Sequence, residues 1–223
     1  MNEKFDLYLK ILEEYNQKVN LVSSTEAETV VSKHFMDSLA ISRLSDIIDF
    51  NASLSVIDVG IGGGFPGMPI IIEYPNLRLC AVDSVGKKLQ FIKILSEELK
   101  LSDRVEIVNA RAEDLARNPD KREKFDLAVI RAVAKMNVIS EYCLPFVKVG
   151  GYFVAYKAKN IEQELQEAEQ AISILGGEVV KTVPYTLSGD EKRNLVVIKK
   201  VKPTPAKYPR KAGVPSKQPL SVK

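Results

Sequence analysis

Residues 56–67 read VIDVGIGGGFPG, an apolar run ending at Asp58-Val59 that passes into a loop with glycine at positions 60, 62, 63, 64 and 67. Glycine loses more backbone freedom on folding than any other residue, so five in eight positions point to a turn that side chains would obstruct. An apolar strand feeding a glycine turn that opens a helix is how doubly wound α/β proteins bring backbone against a bound nucleotide. A GxGxxG fingerprint starting at Gly60 would need its third glycine at 65, where this chain has Phe65. A bulky side chain there crowds the close helix–strand packing of dinucleotide-binding proteins. The loop therefore suits a nucleoside without a pyrophosphate, and nicotinamide binding is the second reading.

The next strand agrees. Leu77 to Val82 is mostly apolar and ends at Asp83, 23 positions after Gly60. An acid about 20 positions downstream, at the tip of the second strand, accepts the ribose hydroxyls of an adenosine. The same aspartate suits a helix cap, because Ser84 and Gly86 lead into the amphipathic stretch from Lys87 to Leu99. S-adenosylmethionine is the commonest cofactor that carries adenosine without a pyrophosphate, and it is the cofactor expected here.

Strands and helices alternate from residue 54 onward. Strands are expected near 54–59, 77–83, 104–109, 125–130 and 150–157, and helices near 67–74, 86–100, 136–146 and 160–175. That alternation implies a mostly parallel sheet covered on both faces. After Gly176-Gly177, strands near 178–185 and 193–201 flank Ser188-Gly189-Asp190 and predict an antiparallel hairpin at the sheet edge. Such a Rossmann-like α/β sheet with a C-terminal hairpin fits a class I S-adenosylmethionine-dependent methyltransferase better than a dehydrogenase. Ahead of it, Phe5, Tyr8, Leu12, Tyr15 and Val19 recur at helical spacing, Thr25 with Glu28 resembles a capping box for a second helix toward Phe35, and a third helix is expected from Asp37 to Ile48. The expected organisation is a helical N-terminal region at 1–50, a Rossmann-like domain at 51–202 and a tail at 203–223.

Charge is unevenly spread. Residues 192–223 carry ten Lys or Arg and no Asp or Glu, leaving 22 basic and 29 acidic residues, a net of −7, in 1–191. The same segment holds prolines 203, 205, 209, 215 and 219, so an extended tail is predicted. A basic tail on an acidic body suits a polyanion, nucleic acid first and membrane lipid second, with a solvated terminus as the plain alternative. Lys207, Arg210, Lys211 and Lys217 are the candidate phosphate contacts. Met1 to Tyr8 lacks the apolar core of a signal peptide, and no apolar run approaches the ~20 residues of a membrane span. Cys80 and Cys143 stand 63 positions apart with no CxxC, which implies a reducing cytoplasm. One histidine and no clustered ligands argue against a metal. A monomer is expected.

Local motifs narrow the chemistry. Enzymes that methylate exocyclic amino groups place Asn or Asp, Pro-Pro and an aromatic after strand four, where this chain reads Ile130-Arg131-Ala132-Val133-Ala134. Carbon-five methylation needs a cysteine nucleophile, and Cys143, ahead of Leu144-Pro145, reads as packing. A nucleophile that already presents a lone pair, such as guanine N7, needs no general base.

The motifs Asn20-Leu21-Val22, KHFMDSL at 33–39, DVGIGGGFPGMP, Val82-Asp83-Ser84 with Lys87-Lys88, Arg111-Ala112-Glu113-Asp114, Arg131-Ala132-Val133 and YPRKAG at 208–213 together resemble the ribosomal RNA small subunit methyltransferase G, or GidB, family. The resemblance implies methyl transfer from S-adenosylmethionine to N7 of a guanine in 16S rRNA, with that RNA or the small ribosomal subunit as partner. It departs from the family at Ile61, Gly63 and Ala158. It places cofactor contacts on Gly60, Phe65, Ala112, Glu113 and Arg131, to which the residues themselves add Asp83. Arg131 is expected either to orient the cofactor or to stack on the incoming guanine, with a solvated salt bridge as the plain alternative. His34, the only histidine, is expected to pack or cap rather than act as a base, so no catalytic residue is assigned. Lys157 is expected to face phosphate. A nicotinamide-dependent oxidoreductase and a noncatalytic RNA-binding assembly factor are the alternatives, opposed by Phe65 and by the intact glycine loop respectively.

Overall fold

The computed structural model describes residues 3–131, 134–158 and 161–220. Helix α1 (Glu3–Asn16) buries Phe5, Tyr8 and Leu12, the face set by three- and four-residue spacing. Next come α2 (Ala27–Val30) and α3 (Met36–Leu39), joined by a wide π turn at Val31–Phe35 and continued by a 3-10 turn at Ala40–Leu44. The expected second and third helices are thus one irregular helical run. The expected capping box is not formed either, since Glu26 holds the N-cap position without a side-chain cap.

The α/β body follows as β1 (Ser55–Val59), α4 (Gly67–Glu73), β2 (Arg78–Asp83), α5 (Gly86–Glu98), β3 (Val105–Asn109), α6 (Ala112–Leu115), β4 (Phe125–Arg131), α7 (Met136–Cys143), β5 (Val147–Ala158), α8 (Glu162–Ile174), β6 (Gly177–Leu187) and β7 (Glu191–Lys200). Helix α4 stops at Tyr74 because Pro75 pushes the preceding residue to extended backbone. Helix α7 gives way to a 3-10 turn at Leu144–Phe146, with Pro145 in its first turn.

The strands form one sheet in the order β3-β2-β1-β4-β5-β7-β6 among the described residues. Strands β1 to β5 are parallel, and β5-β7 and β7-β6 are antiparallel, so the predicted edge hairpin is present. The order turns back between β1 and β4. In open α/β sheets, ligands sit in the crevice at the carboxyl ends of strands beside such a point.

Strand residues alternate between two buried layers. Val56, Leu79, Ala81, Leu127 and Val129 face α1, α4 and α5, whereas Ile57, Val59, Cys80, Val82, Ala128 and Ile130 face α6, α7 and α8. The N-terminal helices share the first layer with the sheet. No helix among the described residues is long and apolar enough to cross a membrane. Cys80 and Cys143 are buried and free.

The tail departs from the prediction. It is not a simple extended strand: Tyr208 N–H donates to Pro205 O at 2.9 Å in a turn, Tyr208 is buried in the second layer, and α9 (Val214–Lys217) forms after Gly213, whose φ of 82° suits glycine. Pro215 lies within the first turn of α9, where proline is tolerated.

Candidate functional site

Gly60 and Ile61 both donate their backbone N–H to Val82 O, at 2.8 and 3.0 Å, tying the glycine loop to the end of β2. Gly60, Gly62 and Gly64 have positive φ. Gly64 is needed for space as well, since a Cβ there would lie 2.1 Å from the Tyr8 hydroxyl. That hydroxyl donates to Gly63 O at 2.6 Å, so α1 braces the loop from behind. Asp83, 6% exposed, completes the fastening: Oδ2 accepts Gly62 N–H at 3.1 Å and Oδ1 accepts Val85 N–H at 2.9 Å, at the entrance to α5. The helix cap foreseen for it is not formed, because Val85 holds the N-cap position of α5 without a side-chain cap and Asp83 makes a turn just ahead of the helix. A carboxylate offers about four lone-pair sites, so two remain for ribose hydroxyls.

These residues border a cleft of ≈ 170 Å³ at the carboxyl ends of β1, β2 and β3, lined by Val59, Gly60, Val82, Asp83, Ser84, Ala110, Arg111, Ala112, Glu113 and Tyr142. Four expected cofactor residues, Gly60, Asp83, Ala112 and Glu113, meet here. The lining combines apolar Val59, Val82 and Ala112 with two acids, Asp83 and Glu113, a mixture that suits an adenosine.

The close-packing glycine missing at 65 is found at 67. A Cβ on Gly67 would come within 2.7 Å of Asp58 Oδ2 and 3.1 Å of Leu79 Cδ1, and its N–H donates to Asp58 Oδ2 at 2.7 Å. Burial raises the Asp58 carboxyl to about 7, and Oδ1 has no hydrogen-bond partner among the described residues.

Phe65 and Arg131 lie elsewhere. The Phe65 ring stacks on Tyr8 at 5.3 Å and on His34 at 4.8 Å, with the Arg131 guanidinium 5.0 Å from its centroid. Arg131 bonds to Asp37 Oδ2 at 3.0 Å, His34 Nδ1 at 3.1 Å and Lys33 O at 3.3 Å. Asp37 also accepts from the Tyr185 hydroxyl. Stacking and ion pairing hold Arg131, with its side chain 14% exposed, in place of the solvated salt bridge. Burial, then the Arg131 charge, pushes the His34 imidazole down to about 4. His34 is therefore neutral at physiological pH, and it packs rather than caps.

A second cleft of ≈ 420 Å³ opens beside this cluster at the ends of β4 and β5, lined by Lys33, His34, Asp37, Arg131, Tyr156, Lys157, Ala158, Glu164 and Arg193. Lys157 pairs with Glu164 at 2.6 Å and donates to Ala134 O at 2.9 Å, so its ammonium is held by the protein and not left to phosphate. Ala132 and Val133 of the strand-four motif lie outside the described residues.

Of the four basic tail candidates, Arg210 is committed internally. Its guanidinium meets both oxygens of the fully buried Glu141 at 2.6 to 3.1 Å, and its backbone N–H donates to Glu141 Oε1 at 2.7 Å. Lys207, Lys211 and Lys217 are exposed. Sequence reasoning missed Asp58, Tyr156 and Tyr185; a buried acid four residues before the glycine loop's core was the one available signal.

Residues 1–196 match the family model described as GidB, rRNA small subunit methyltransferase G. The chain is 47% identical over 214 residues to the ribosomal RNA small subunit methyltransferase G of Alkaliphilus metalliredigens, covering 96% of this chain and 88% of the relative. It is 49% identical to the protein of that name from Lactobacillus johnsonii, covering 99% and 93%. Among solved structures, a mutant of MtNAS in complex with S-adenosylmethionine is similar in fold, with TM-score 0.60 and 17% identity over 89% of this chain and 75% of that one. Geranyl diphosphate C-methyltransferase from Streptomyces coelicolor aligns with TM-score 0.58 and 14% identity over 87% and 98%.

Proposed function

This chain belongs to the rRNA small subunit methyltransferase G family, and we propose that it transfers the methyl group of S-adenosylmethionine to N7 of a guanine in 16S rRNA, in the cytoplasm. The observation that carries this reading is the pair of clefts on the same edge of the sheet, one on each side of the β1/β4 switch point. Asp83 holds the ribose, Gly60 admits the methionine portion against backbone, and Ala112 and Glu113 border the adenine. S-adenosylmethionine supplies an electrophilic methyl on a sulfonium. The guanine occupies the second cleft, where Glu164, whose Oε1 is taken by Lys157 and Met136 N–H, turns its second carboxylate oxygen to an edge carrying N1–H and an amino group, both donors.

N7 of neutral guanine carries no proton, so displacement by its lone pair requires no base. His34, held down to about 4 and with Nδ1 already engaged by Arg131, is a poor proton acceptor, which agrees with that. The enzyme's contribution is alignment in a partly dry site, and holding two reactants in line is worth about 7–11 kcal/mol. Product guanine becomes cationic, and the cleft tolerates this because Arg131 and Lys157 are each already matched by a carboxylate.

The test uses 16S rRNA transcribed with 7-deazaguanosine in place of guanosine. The analogue keeps the pairing edge and lacks the nucleophile, so bound RNA should accept no methyl. Transfer at an undiminished rate would exclude N7.

A further inference from the structure

The tail touches two walls of the adenosine cleft without lining it. Gly213 N–H donates to Glu113 Oε1 at 2.9 Å, across 100 positions of sequence. The Ser216 hydroxyl donates to Gly213 O at 3.1 Å, and α9, which carries Ser216, packs against α7, which carries Tyr142. Both Glu113 and Tyr142 line the cleft.

The segment is fastened to the body well before it reaches them. Arg117 donates to Pro209 O at 2.8 Å, and Arg122 donates to Tyr208 O at 2.8 Å and Thr204 O at 2.7 Å. The Arg210–Glu141 pair follows, and the buried Lys200 ammonium anchors Thr204 Oγ1 at 2.8 Å. Yet Lys207, Lys211 and Lys217 on this same segment are exposed. One side of a single strap therefore sets cofactor-cleft residues, while the other offers cations to solvent.

We propose that residues 204–217 form a strap that positions Glu113 and Tyr142 for the adenosine, and that RNA phosphate engaged by its lysines couples RNA binding to cofactor binding. The inference rests on the function proposed above. An RNA contact that holds the strap down favours the cleft geometry the cofactor needs, and linkage requires the reverse effect to be equal.

The test is the full-length Gly213→Pro/Ser216→Ala variant. Proline cannot adopt φ of 82° and has no N–H to give Glu113, while Arg210–Glu141 remains to keep the rest of the strap in place. Calorimetry with S-adenosylhomocysteine should show a Kd raised by about tenfold, the change that 1.4 kcal/mol makes. In methyl transfer, the KM for S-adenosylmethionine should rise while kcat at saturating cofactor stays close to wild type, because a positioning loss falls on binding. For the wild type, saturating S-adenosylhomocysteine should tighten binding of 16S rRNA, and Lys211→Ala/Lys217→Ala should abolish that tightening.

An unchanged Kd in the Gly213→Pro/Ser216→Ala variant overturns the proposal. So does a fall in kcat matching the rise in KM, the mark of general loosening, and so does wild-type RNA affinity indifferent to S-adenosylhomocysteine. A raised Kd alongside a wild type that forms no N7-methylguanosine would leave the strap standing and remove the proposed function.

Discussion

Asp83→Ala separates the two jobs that one carboxylate does. As a brace, Asp83 accepts the N–H groups of Gly62 and Val85 at 3.1 and 2.9 Å. Gly62 is only half-buried and Val85 is 44% exposed, so water replaces the carboxylate at both donors. The stability cost should be about 1 kcal/mol, the scale of an ordinary net hydrogen bond. As a ribose acceptor the same carboxylate, 6% exposed, lines the cofactor cleft, and losing a hydrogen bond to a carboxylate costs about 1.5–3 kcal/mol. That corresponds to a Kd for S-adenosylhomocysteine raised by about tenfold to somewhat over a hundredfold. Urea denaturation measures the first quantity and calorimetry the second. A variant with a Kd close to wild type, or one whose affinity loss is no larger than its stability loss, would show that Asp83 acts on the loop alone.

Gly67→Ala should lower stability in urea by about 1–3 kcal/mol, the cost of overpacking, because its Cβ must displace Asp58 Oδ2 from 2.7 Å. His34→Gln should retain most of its methyl transfer. The folded imidazole titrates near 4 and not 6.5, so the unfolded chain binds more protons between those values, and the stability present above pH 6.5 is lost as pH falls toward 4. Asp58, raised from 3.8 to about 7, acts oppositely, losing stability as pH rises through nearly the same window. The pH dependence of the difference in urea midpoint between wild type and His34→Gln therefore isolates the histidine, and the difference should level off to a constant above pH 7. Arg210→Met should cost about 3 kcal/mol or more, since it strands a buried carboxylate, whereas Lys211→Met should leave stability unchanged. Equal stabilities for these two variants would return Arg210 to the set of free phosphate contacts.

The strands were legible because burial on both sheet faces writes continuous apolar runs between turn residues. Expected ranges such as 77–83 and 125–130 fall within a residue of Arg78–Asp83 and Phe125–Arg131. The glycine loop announced its nucleotide fit, but the glycine that packs helix on strand sits at 67, because a GxGxxG template cannot register the Asp58 carboxyl it must clear. Contacts that join distant parts of the chain left no local trace. Nothing near Arg131 in sequence indicates that Lys33, His34 and Asp37 surround it, 94 to 98 positions away. The tail misled for the same reason: proline and lysine content describes an extended cation, while Tyr208 burial and the Arg210–Glu141 pair depend on surfaces built from other segments. The irregular run from Ala27 to Leu44 was legible as helical but not as continuous, because a π turn has no distinct apolar period.

Nucleoside mass spectrometry reads the methylated product directly. Purified protein is incubated with S-adenosylmethionine and, in parallel, with 16S rRNA or with assembled small subunits, and the RNA is digested to nucleosides. One new N7-methylguanosine per RNA is expected in whichever form is the substrate, strongly reduced for Asp83→Ala at limiting cofactor. Methyl appearing on an exocyclic amine or on carbon, or no methylated nucleoside in either form of the RNA, would contradict the central claim.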